Sequence, residues 1–279
     1  MRRLGFDGWT AIKLVTAAVY VFMFGPIVIV VLLSFNRSEF GGFPMTGLTL
    51  DWFRELAGDE QVIAAVKTSL KLGTLATIIS TVIGTAAAFA VVRYRFRGRS
   101  LVTVLLTAPI LVPPVVLGVA LLLFLRSLGM TTSFALLLLG HVVVTLPFVF
   151  LVVQARLVSL PRVYEEAAMS LGANRWRSIR DITLPLLMPA VVAGMLFAFT
   201  ISFDEVTATL FWRPVGTETV PTQILAMLRL SMSQELNALG TAMIAFTVAL
   251  PMVGMILIYI VGRGRVQRLG AARPAGAER

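Results

Sequence analysis

The sequence predicts an all-α, polytopic membrane protein with six transmembrane helices. Among its 279 residues, 58% are hydrophobic, and the mean hydropathy is +0.90. These values are typical of an integral membrane protein and not of a soluble enzyme. A membrane-spanning helix needs about 20 apolar residues to cross about 30 Å of hydrocarbon. Six runs meet this requirement, at residues 14–34, 69–92, 101–125, 133–155, 187–211 and 239–262.

The distribution of basic residues supports these spans and predicts their orientation. Seventeen of the 24 lysines and arginines lie before span one, between spans two and three, between spans four and five, or after span six. Positive residues accumulate on the cytoplasmic side of membrane proteins. Both termini are therefore predicted to be cytoplasmic. The same placement explains the net charge of +10 without a nucleic-acid partner.

Composition also limits the chemistry of the chain. There is no cysteine and only one histidine, so disulfides, thiolate metal sites and His-rich metal clusters are not expected. A phosphate-binding loop needs the pattern G-x-x-x-x-G-K-[ST]. None of the lysines follows a glycine. We therefore expect neither an ATP site nor enzymatic activity in this chain.

The first span and the segment after it form a predicted N-terminal region, residues 1–64. The span has no small-residue cleavage site near its end, so it is predicted to be a retained transmembrane helix and not a signal peptide. The following loop, which contains Glu39 and Gly41, is predicted to be external. An amphipathic stretch within it, residues 50–56, is predicted to lie over the outer face.

Small residues and prolines predict helix packing in spans two and three. Ser80, Gly84 and Ala88 are four residues apart in span two, a stripe that lets a neighbouring helix approach closely. Span three contains Pro109 and the pair Pro113–Pro114. Because proline leaves backbone carbonyls without a donor, span three is predicted to be a kinked helix that packs against its neighbours or faces a cavity. The kink is either an ordinary structural feature or part of a gate.

The polar segment between spans four and five, residues 157–185, is predicted to begin with a short helix that ends at a glycine. Pro161 opens this helix. Glu165 and Glu166 then lie near its N-terminal end, where carboxylates are favoured by the helix dipole. Gly172 supplies a residue that can adopt the left-handed conformation at the C-terminus of the helix.

A second short helix is predicted from Arg175 to Ile182. Asn174 is placed to cap its N-terminus, and Pro185 is expected to prevent its regular continuation. Three arginines and Trp176 give this stretch a basic and aromatic surface. Such a unit could fit a groove on a soluble partner, and an ordinary amphipathic loop is the alternative.

This segment resembles the EAA loop of ABC-importer permeases. In that pattern E-A-A is followed by three residues, G, nine residues, I, one residue and L-P. Every fixed position is matched, by Glu166, Ala167, Ala168, Gly172, Ile182, Leu184 and Pro185. The resemblance implies that these residues form ATPase-coupling helices, which dock on a separate ATP-hydrolysing subunit.

A wider region, residues 69–265, resembles the transmembrane domain of type I (MetI-like) ABC importers. It is most similar to the second permease subunit of spermidine/putrescine importers, through Ser34–Asn36, Leu50–Phe53, Pro109, Val112–Pro113, His141 with the residues around it, Ser202–Glu205 and Glu235–Ala238. The predicted domain organisation is therefore an N-terminal region (1–64), an importer domain (65–265) and a basic cytoplasmic tail (266–279).

The resemblance also implies partners and a substrate. The partners are ABC ATPase subunits, which would bind the ATP and Mg²⁺, a second permease subunit, identical or distinct, and a periplasmic substrate-binding protein. The implied location is the cell inner membrane. The implied substrate is a polyamine such as putrescine or spermidine, with iron(III), aminoalkylphosphonate or another small cationic or zwitterionic solute as the alternative. The family usually has two aspartates at Asp204–Glu205 and a Gly-rich turn at Trp212–Gly216, and these departures bear on the substrate.

Three polar residues inside predicted spans are candidates for the translocation pathway. They are Asp204 and Glu205 in span five and His141 in span four. A charged group inside a membrane costs at least about 2.5–3.5 kcal/mol, so it should face a cavity or a partner. Asp204, with Glu205, is predicted to attract a cationic substrate. The alternative for Asp204 is a structural pair with Arg213 or Lys71, or a gate hydrogen bond. His141 is predicted either to line the same pathway or to hydrogen-bond a neighbouring helix.

Other interpretations remain for the external side and for the class of protein. Residues 212–234 are predicted to be either a docking surface for the binding protein or a solvated loop. An ion-coupled secondary transporter would carry its own ion site at broken helices, and the EAA loop argues against it. A membrane-embedded hydrolase would need a serine activated by His141, and no accepted serine motif accompanies that histidine.

Overall fold

The computed structural model of the protein describes residues 8–38, 42, 44–230 and 233–271, with side chains up to residue 256. Arg2, Arg3, Glu39, Gly41 and the part of the predicted tail beyond residue 271 lie outside the described residues.

The described residues form twelve α-helices and one π-helical segment, which confirms the all-α prediction. The helices are α1 (Gly8–Leu33), α2 (Asp51–Gly58), α3 (Glu60–Arg93), α4 (Arg99–Leu111), α5 (Pro114–Ser127), α6 (Phe134–Ser159), α7 (Val163–Ser170), α8 (Arg175–Ser178), α9 (Leu184–Asp204), α10 (Thr209–Trp212), α11 (Val220–Leu230) and α12 (Gln234–Ala271). The π-helical segment, Ile179–Thr183, lies between α8 and α9.

The chain divides into two compact units. The first contains residues 1–64 and 223–246, and the second contains residues 65–222 and 247–279. The predicted importer domain, residues 65–265, therefore contains residues of both units. In the first unit, Asn36 is buried and holds the segment between α1 and α2. Its side-chain oxygen accepts the backbone N–H of Thr46 at 3.2 Å, and its carbonyl accepts Trp52 Nε1 at 2.8 Å.

Five helical stretches in the described part are long and apolar enough to cross a membrane, and α4 with α5 makes a sixth if the pair is one span. The prediction for span three needs correction, because α4 and α5 are bent by 115° and are two helices, not one kinked helix. Val112, between them, is extended, with φ −94° and ψ 127°. This follows from Pro113, since the residue before a proline is pushed out of the helical region.

Helix α6 forms the centre of the second unit, where it packs against α9 and α4. The predicted small-residue stripe of α3 also faces α6. A Cβ added to Gly84 would come within 3.1 Å of Val149, and the hydroxyls of Ser80 and Thr145 share a hydrogen bond of 2.7 Å. Ala88 is completely buried. The stripe therefore serves helix packing, as predicted.

Helix α9 ends at Asp204, whereas span five was predicted to continue to residue 211. Glu205 is extended, with φ −72° and ψ 116°. Its carboxylate accepts the backbone N–H of Ala208 at 2.7 Å. A side-chain acceptor of this kind competes with the helical ladder. Asp204 consequently lies at the end of a helix and not in its interior.

Candidate functional site

The predicted glycine elbow is present at the end of α7. Gly172 has φ +91°, the left-handed conformation that favours glycine. The N–H of Gly172 bonds to the carbonyl of Met169 at 3.0 Å, and the N–H of Ala173 bonds to the carbonyl of Ala168 at 3.0 Å. This pair of bonds is a Schellman motif, which satisfies carbonyls that the end of the helix leaves free.

Glycine is needed at position 172 because of the left-handed backbone conformation there, and not because space is lacking for a larger side chain. Apart from Gly172 itself and its two neighbours in the chain, no residue has an atom within 4 Å of the place where a Cβ would stand. The neighbouring Leu171 is 90% exposed. The elbow is therefore a projecting corner whose shape is fixed by backbone hydrogen bonds.

The second predicted helix begins where expected but does not end where expected. Asn174 accepts the backbone N–H of Arg177 at 2.8 Å, so the predicted N-cap is confirmed. Pro185, however, does not end the helical structure. Helix α8, the π-helical segment and α9 follow one another directly, so that Arg175–Asp204 counts as a single apolar span.

The π-helical segment explains why Pro185 is tolerated. A proline inside a regular α-helix lacks a donor and collides with the carbonyl four residues earlier, which here belongs to Asp181. In this segment the N–H of Leu184 bonds instead to the carbonyl of Ile179, five residues earlier. The wider turn accommodates the proline ring, as π-bulges do within helices.

A buried ion pair holds α7 to the end of α3, and sequence reasoning missed it. Arg93 Nε lies 2.9 Å from Glu165 Oε1, with side chains only 7% and 17% exposed. Glu165 Oε1 also accepts the hydroxyl of Thr183 at 3.0 Å. Arg93 is one of four arginines at alternate positions after span two, and no signal in that pattern distinguishes the buried arginine from the others.

The residues that match the EAA pattern are divided between surface and interior. Glu166 and Ala167 are exposed, Ala168 is buried, Ile182 and Pro185 are half-buried, Leu184 is exposed and Gly172 forms the elbow. Large apolar side chains are exposed on both sides of the elbow, with Leu171 at 90% and Trp176 at 68%. A cleft of about 200 Å³ between α7 and α8 is lined by Arg162, Glu165, Glu166, Met169, Arg175 and Ser178.

His141 is held inside the second unit by hydrogen bonds to two other helices. Its Nδ1 lies 2.8 Å from Ser202 Oγ, and its Nε2 lies 2.9 Å from Thr209 Oγ1. The residue is 1% exposed, so the ring has no free edge with which to line a pathway in this structure. Of the two interpretations of His141, the geometry supports a hydrogen bond between helices. Among the described residues, no group of three or more His, Cys, Asp or Glu side chains is suited to a metal ion.

Asp204 does not have either of the ion-pair partners predicted for it. It is exposed and accepts the hydroxyl of Thr247 at 3.2 Å. Arg213 pairs with Glu218 instead, and Lys71 lies over the ring of Phe134, 4.6 Å from its centroid. The partner of Arg213 lies five residues along the chain, and the partner of Lys71 lies on another helix. The sequence alone does not reveal either pairing.

Glu205 and Trp212 have structural surroundings that the sequence did not predict. Glu205 caps the turn before α10 through Ala208, as described above. Trp212 is completely buried, and its Nε1 donates to the carbonyl of Gly118 at 2.9 Å. Trp212 is therefore neither part of a solvated loop nor part of an exposed docking surface, because its indole is needed to fill the space between α5 and α6.

The membrane-spanning helices and the exposed helix–glycine–helix unit together define a polytopic transport protein of the permease class. The family described as "Binding-protein-dependent transport system inner membrane component" matches residues 80–267. This region contains the whole glycine elbow and most of the membrane-spanning residues. The chain belongs to this family.

Two curated relatives are similar over most of the chain. The spermidine/putrescine transport system permease protein PotC of Escherichia coli (strain K12) is 34% identical over 240 residues, which cover 86% of this chain and 90% of PotC. The putrescine transport system permease protein PotI of the same strain is 34% identical over 261 residues, which cover 90% of each chain. Homology to polyamine permease subunits thus extends from the N-terminal region into the importer domain.

A solved structure has the same fold. The crystal structure of a bacterial alginate ABC transporter, in complex with an alginate pentasaccharide-bound periplasmic protein, contains a chain that superposes with a TM-score of 0.68. The two chains are 17% identical, and the match covers 92% of this chain and 95% of the other. At this identity the likeness shows the type I importer fold.

Proposed function

We propose that this chain forms half of the solute pathway of an ABC importer and that residues 161–185, the coupling unit, receive the motion of a separate ATPase subunit. The observation that carries the proposal is the geometry of the elbow. Gly172 turns the chain at an exposed corner, and the EAA pattern is matched around it at every fixed position. Homology to the permease subunits PotC and PotI supports the same conclusion.

The coupling unit has the surface that docking requires. Leu171 and Trp176 expose most of their apolar area beside the exposed Glu166 and Ala167. Large exposed apolar side chains with a polar surround are typical of protein interaction sites, and tryptophan is enriched among the residues that dominate binding energy. Glu166, Ala167, Leu171 and Trp176 are the proposed contacts, while Ala168, Ile182, Leu184 and Pro185 shape the unit behind them.

The energy source lies on the partner. No G-x-x-x-x-G-K-[ST] sequence is present in the chain, so ATP and Mg²⁺ would bind to the ATPase subunits. Closure of those subunits on ATP would displace the coupling unit and rock the membrane helices, a domain movement that gives alternating access. The basic residues beside the spans favour an orientation with both termini and the coupling unit in the cytoplasm. A second permease subunit and a periplasmic binding protein complete the proposed complex.

A polyamine is the proposed substrate. PotC and PotI, named for spermidine and putrescine transport, are the relatives that favour it. Asp204 is an exposed carboxylate at the end of α9, which a cationic solute would meet. Asp204→Asn should raise the KM for polyamine uptake with no change in ATPase binding. An unchanged KM and unchanged substrate preference would remove Asp204 from the pathway.

Reconstitution with the partner subunits tests the proposal. Proteoliposomes that contain the complete complex should import a polyamine only with ATP, and vanadate should stop the import. Trp176→Ala should reduce capture of the ATPase subunit by more than about tenfold, because interaction hot spots contribute about 2 kcal/mol or more. Trp9→Ala is the matched control, since Trp9 is 69% exposed and Trp176 68%, and it should not affect capture.

Two results would contradict the proposal. Uptake driven by an ion gradient and insensitive to vanadate would indicate a secondary transporter. Full ATPase capture by Trp176→Ala combined with Leu171→Asp would remove the coupling unit from the interface. Ligand binding by the external protein separates a polyamine from iron(III) or a phosphonate as substrate.

A further inference from the structure

We infer that Arg93 is a positioning residue, which fastens the coupling unit to α3 so that a push on α7 moves the membrane helix with it. This inference rests on the proposed function. It adds a specific route for the motion: from α7 through the Arg93–Glu165 ion pair into a helix that extends from Glu60 to Arg93. At a rise of about 1.5 Å per residue, such a helix is long enough to carry a displacement across the bilayer.

The guanidinium of Arg93 joins three elements. Arg93 is the last residue of α3. Its Nε donates to Glu165 of α7 at 2.9 Å, and its Nη2 donates to the carbonyl of Leu160, which follows α6, at 3.2 Å. The ends of α3 and α6 are thereby held at the start of the coupling unit.

Arg162 strengthens the same junction from the opposite direction. Its Nη2 donates to the carbonyls of Val92 and Arg93, at 3.1 Å each. These carbonyls belong to the last turn of α3, where an α-helix has no intrahelical donors for them and where a positive charge is favourable. The end of α3 is therefore joined to the connection between α6 and α7 in two ways. Arg93 donates to the carbonyl of Leu160, and Arg162 donates to carbonyls of α3.

Glu165 extends the network to the other half of the coupling unit. Its carboxylate accepts the hydroxyl of Thr183, in the π-helical segment, at 3.0 Å. Its backbone carbonyl accepts the hydroxyl of Ser178, in α8, at 3.3 Å. Ser178 and Thr183 are both buried. Both helices of the unit are thus connected to Arg93 through one glutamate.

Burial distinguishes this pair from the other ion pairs nearby. The Arg180–Asp181 pair has side chains 63% and 52% exposed, and such pairs contribute little to stability in water. For Arg93 and Glu165 the values are 7% and 17%. Removing one member of a buried pair leaves an uncompensated charge and is strongly unfavourable. The less exposed pair is screened less by solvent, and together with the hydrogen bonds of Arg162 and Thr183 it favours movement of α7 with α3.

The first test measures the number of ATP molecules hydrolysed per solute imported by the complete, reconstituted complex. Arg93→Met keeps an unbranched, flexible stem and removes the guanidinium and its charge, and should raise this ratio at least about fivefold, the lower end of typical coupling between sites. ATPase capture should stay as in the wild type, because Arg93 is buried behind the docking surface. Arg54→Met, which breaks the exposed Arg54–Asp51 pair, is the control and should keep the wild-type ratio.

The second test asks whether the two residues act together. If the ion pair is the transmitting element, Arg93→Met combined with Glu165→Gln should raise the ratio no more than either change alone, since coupled residues are not additive. Thr183→Val should give a smaller increase. Additive effects of the two charge removals would contradict the inference.

A distance measurement observes the transmission directly. The chain has no cysteine, so spin labels can be attached to single cysteines introduced at Ile83 of α3 and Ser170 of α7, both of which are exposed. In the wild-type complex the distance between labels should be the same with and without ATP. In Arg93→Met it should change when ATP binds.

The outcomes separate this inference from the proposed function. A wild-type complex without nucleotide-dependent uptake would contradict the proposed function itself. A coupled wild type, with an unchanged ratio and an unchanged label distance in Arg93→Met, would overturn only the role of Arg93. If Arg93→Met does not reach the membrane, Glu165→Gln and Thr183→Val keep the side-chain shape and decide the question, and an unchanged ratio in both overturns the inference.

Discussion

Two interruptions of helical structure in the second unit are built in different ways. At the elbow, Gly172 turns an exposed corner, and the hydrogen bonds that define the turn join backbone groups a few residues apart. At the end of α9, Glu205 turns the chain into a buried region. The side chain of Trp212 fills that region, and its indole bonds to Gly118. His141 lies there too, with two hydrogen bonds to neighbouring helices.

The difference concerns where each turn obtains its stability. An exposed turn made by backbone hydrogen bonds depends on a left-handed residue and a cap, and its outer surface remains free for a partner. The buried turn depends on side chains from several elements, namely His141 of α6, Ser202 of α9 and Trp212 of α10, and on the backbone carbonyl of Gly118 in α5. Substitutions at the buried turn after α9 should therefore mainly lower stability. Substitutions at the elbow should mainly weaken partner binding.

The largest expected effect is at Trp212. Trp212→Ala should lower the free energy of unfolding by about 3–5 kcal/mol, because it removes a buried aromatic side chain and leaves a cavity. Trp176→Ala is the matched variant at the elbow, and its 68% exposure predicts no comparable loss. Thermal unfolding in detergent, followed by circular dichroism, measures both. Equal losses would abolish the distinction between the two turns.

Ser202 tests the hydrogen bonds of His141. Ser202→Ala should cost about 1–3 kcal/mol of stability, because it leaves a buried ring nitrogen without its partner. Ser127→Ala removes a hydroxyl that bonds only to the carbonyl of Phe124 on an exposed surface, and it should change stability by less than about 0.5 kcal/mol. A negligible loss in Ser202→Ala would mean that water replaces the hydroxyl at His141.

Gly172 tests whether the elbow depends on backbone conformation. Gly172→Ala should cost about 1–2 kcal/mol, because the added Cβ disfavours the left-handed conformation, although it meets no neighbouring atom. Gly172→Asn should cost less, since asparagine tolerates this conformation. ATP-driven uptake should fall in the same order. If alanine and asparagine behaved alike in both measurements, the conformation of Gly172 would not be the critical feature.

The smallest expected effect is at the cap of α8. Asn174→Ala removes the acceptor for the N–H of Arg177 and should cost about 1 kcal/mol, a typical value for a lost N-cap. Asn174→Ser keeps a capping oxygen and should retain most of the stability. Unfolding measurements on the two variants make the comparison, and an equal loss in both would show that the side-chain oxygen does not stabilise α8.

Sequence reasoning succeeded where the structure depends on neighbouring residues. The spans follow from apolar runs of sufficient length, and the turn at Gly172 and the cap at Asn174 follow from backbone chemistry within a single turn. It failed at Pro185, because the usual conflict between proline and a helix is relieved by a π turn whose formation depends on the surrounding packing. At span three it predicted the place of the distortion but not its extent, since the residues around Pro113 separate two helices that are bent by 115°.

By itself, then, the sequence determined the helical membrane fold, the elbow and the pattern that marks the family. The tertiary structure alone decided which arginine is buried and where Trp212 points. Arg93 and Glu165 are 72 positions apart, and Trp212 and Gly118 are 94 apart. Local patterns cannot identify partners at such separations, because the pairing depends on which helix faces meet when the chain packs.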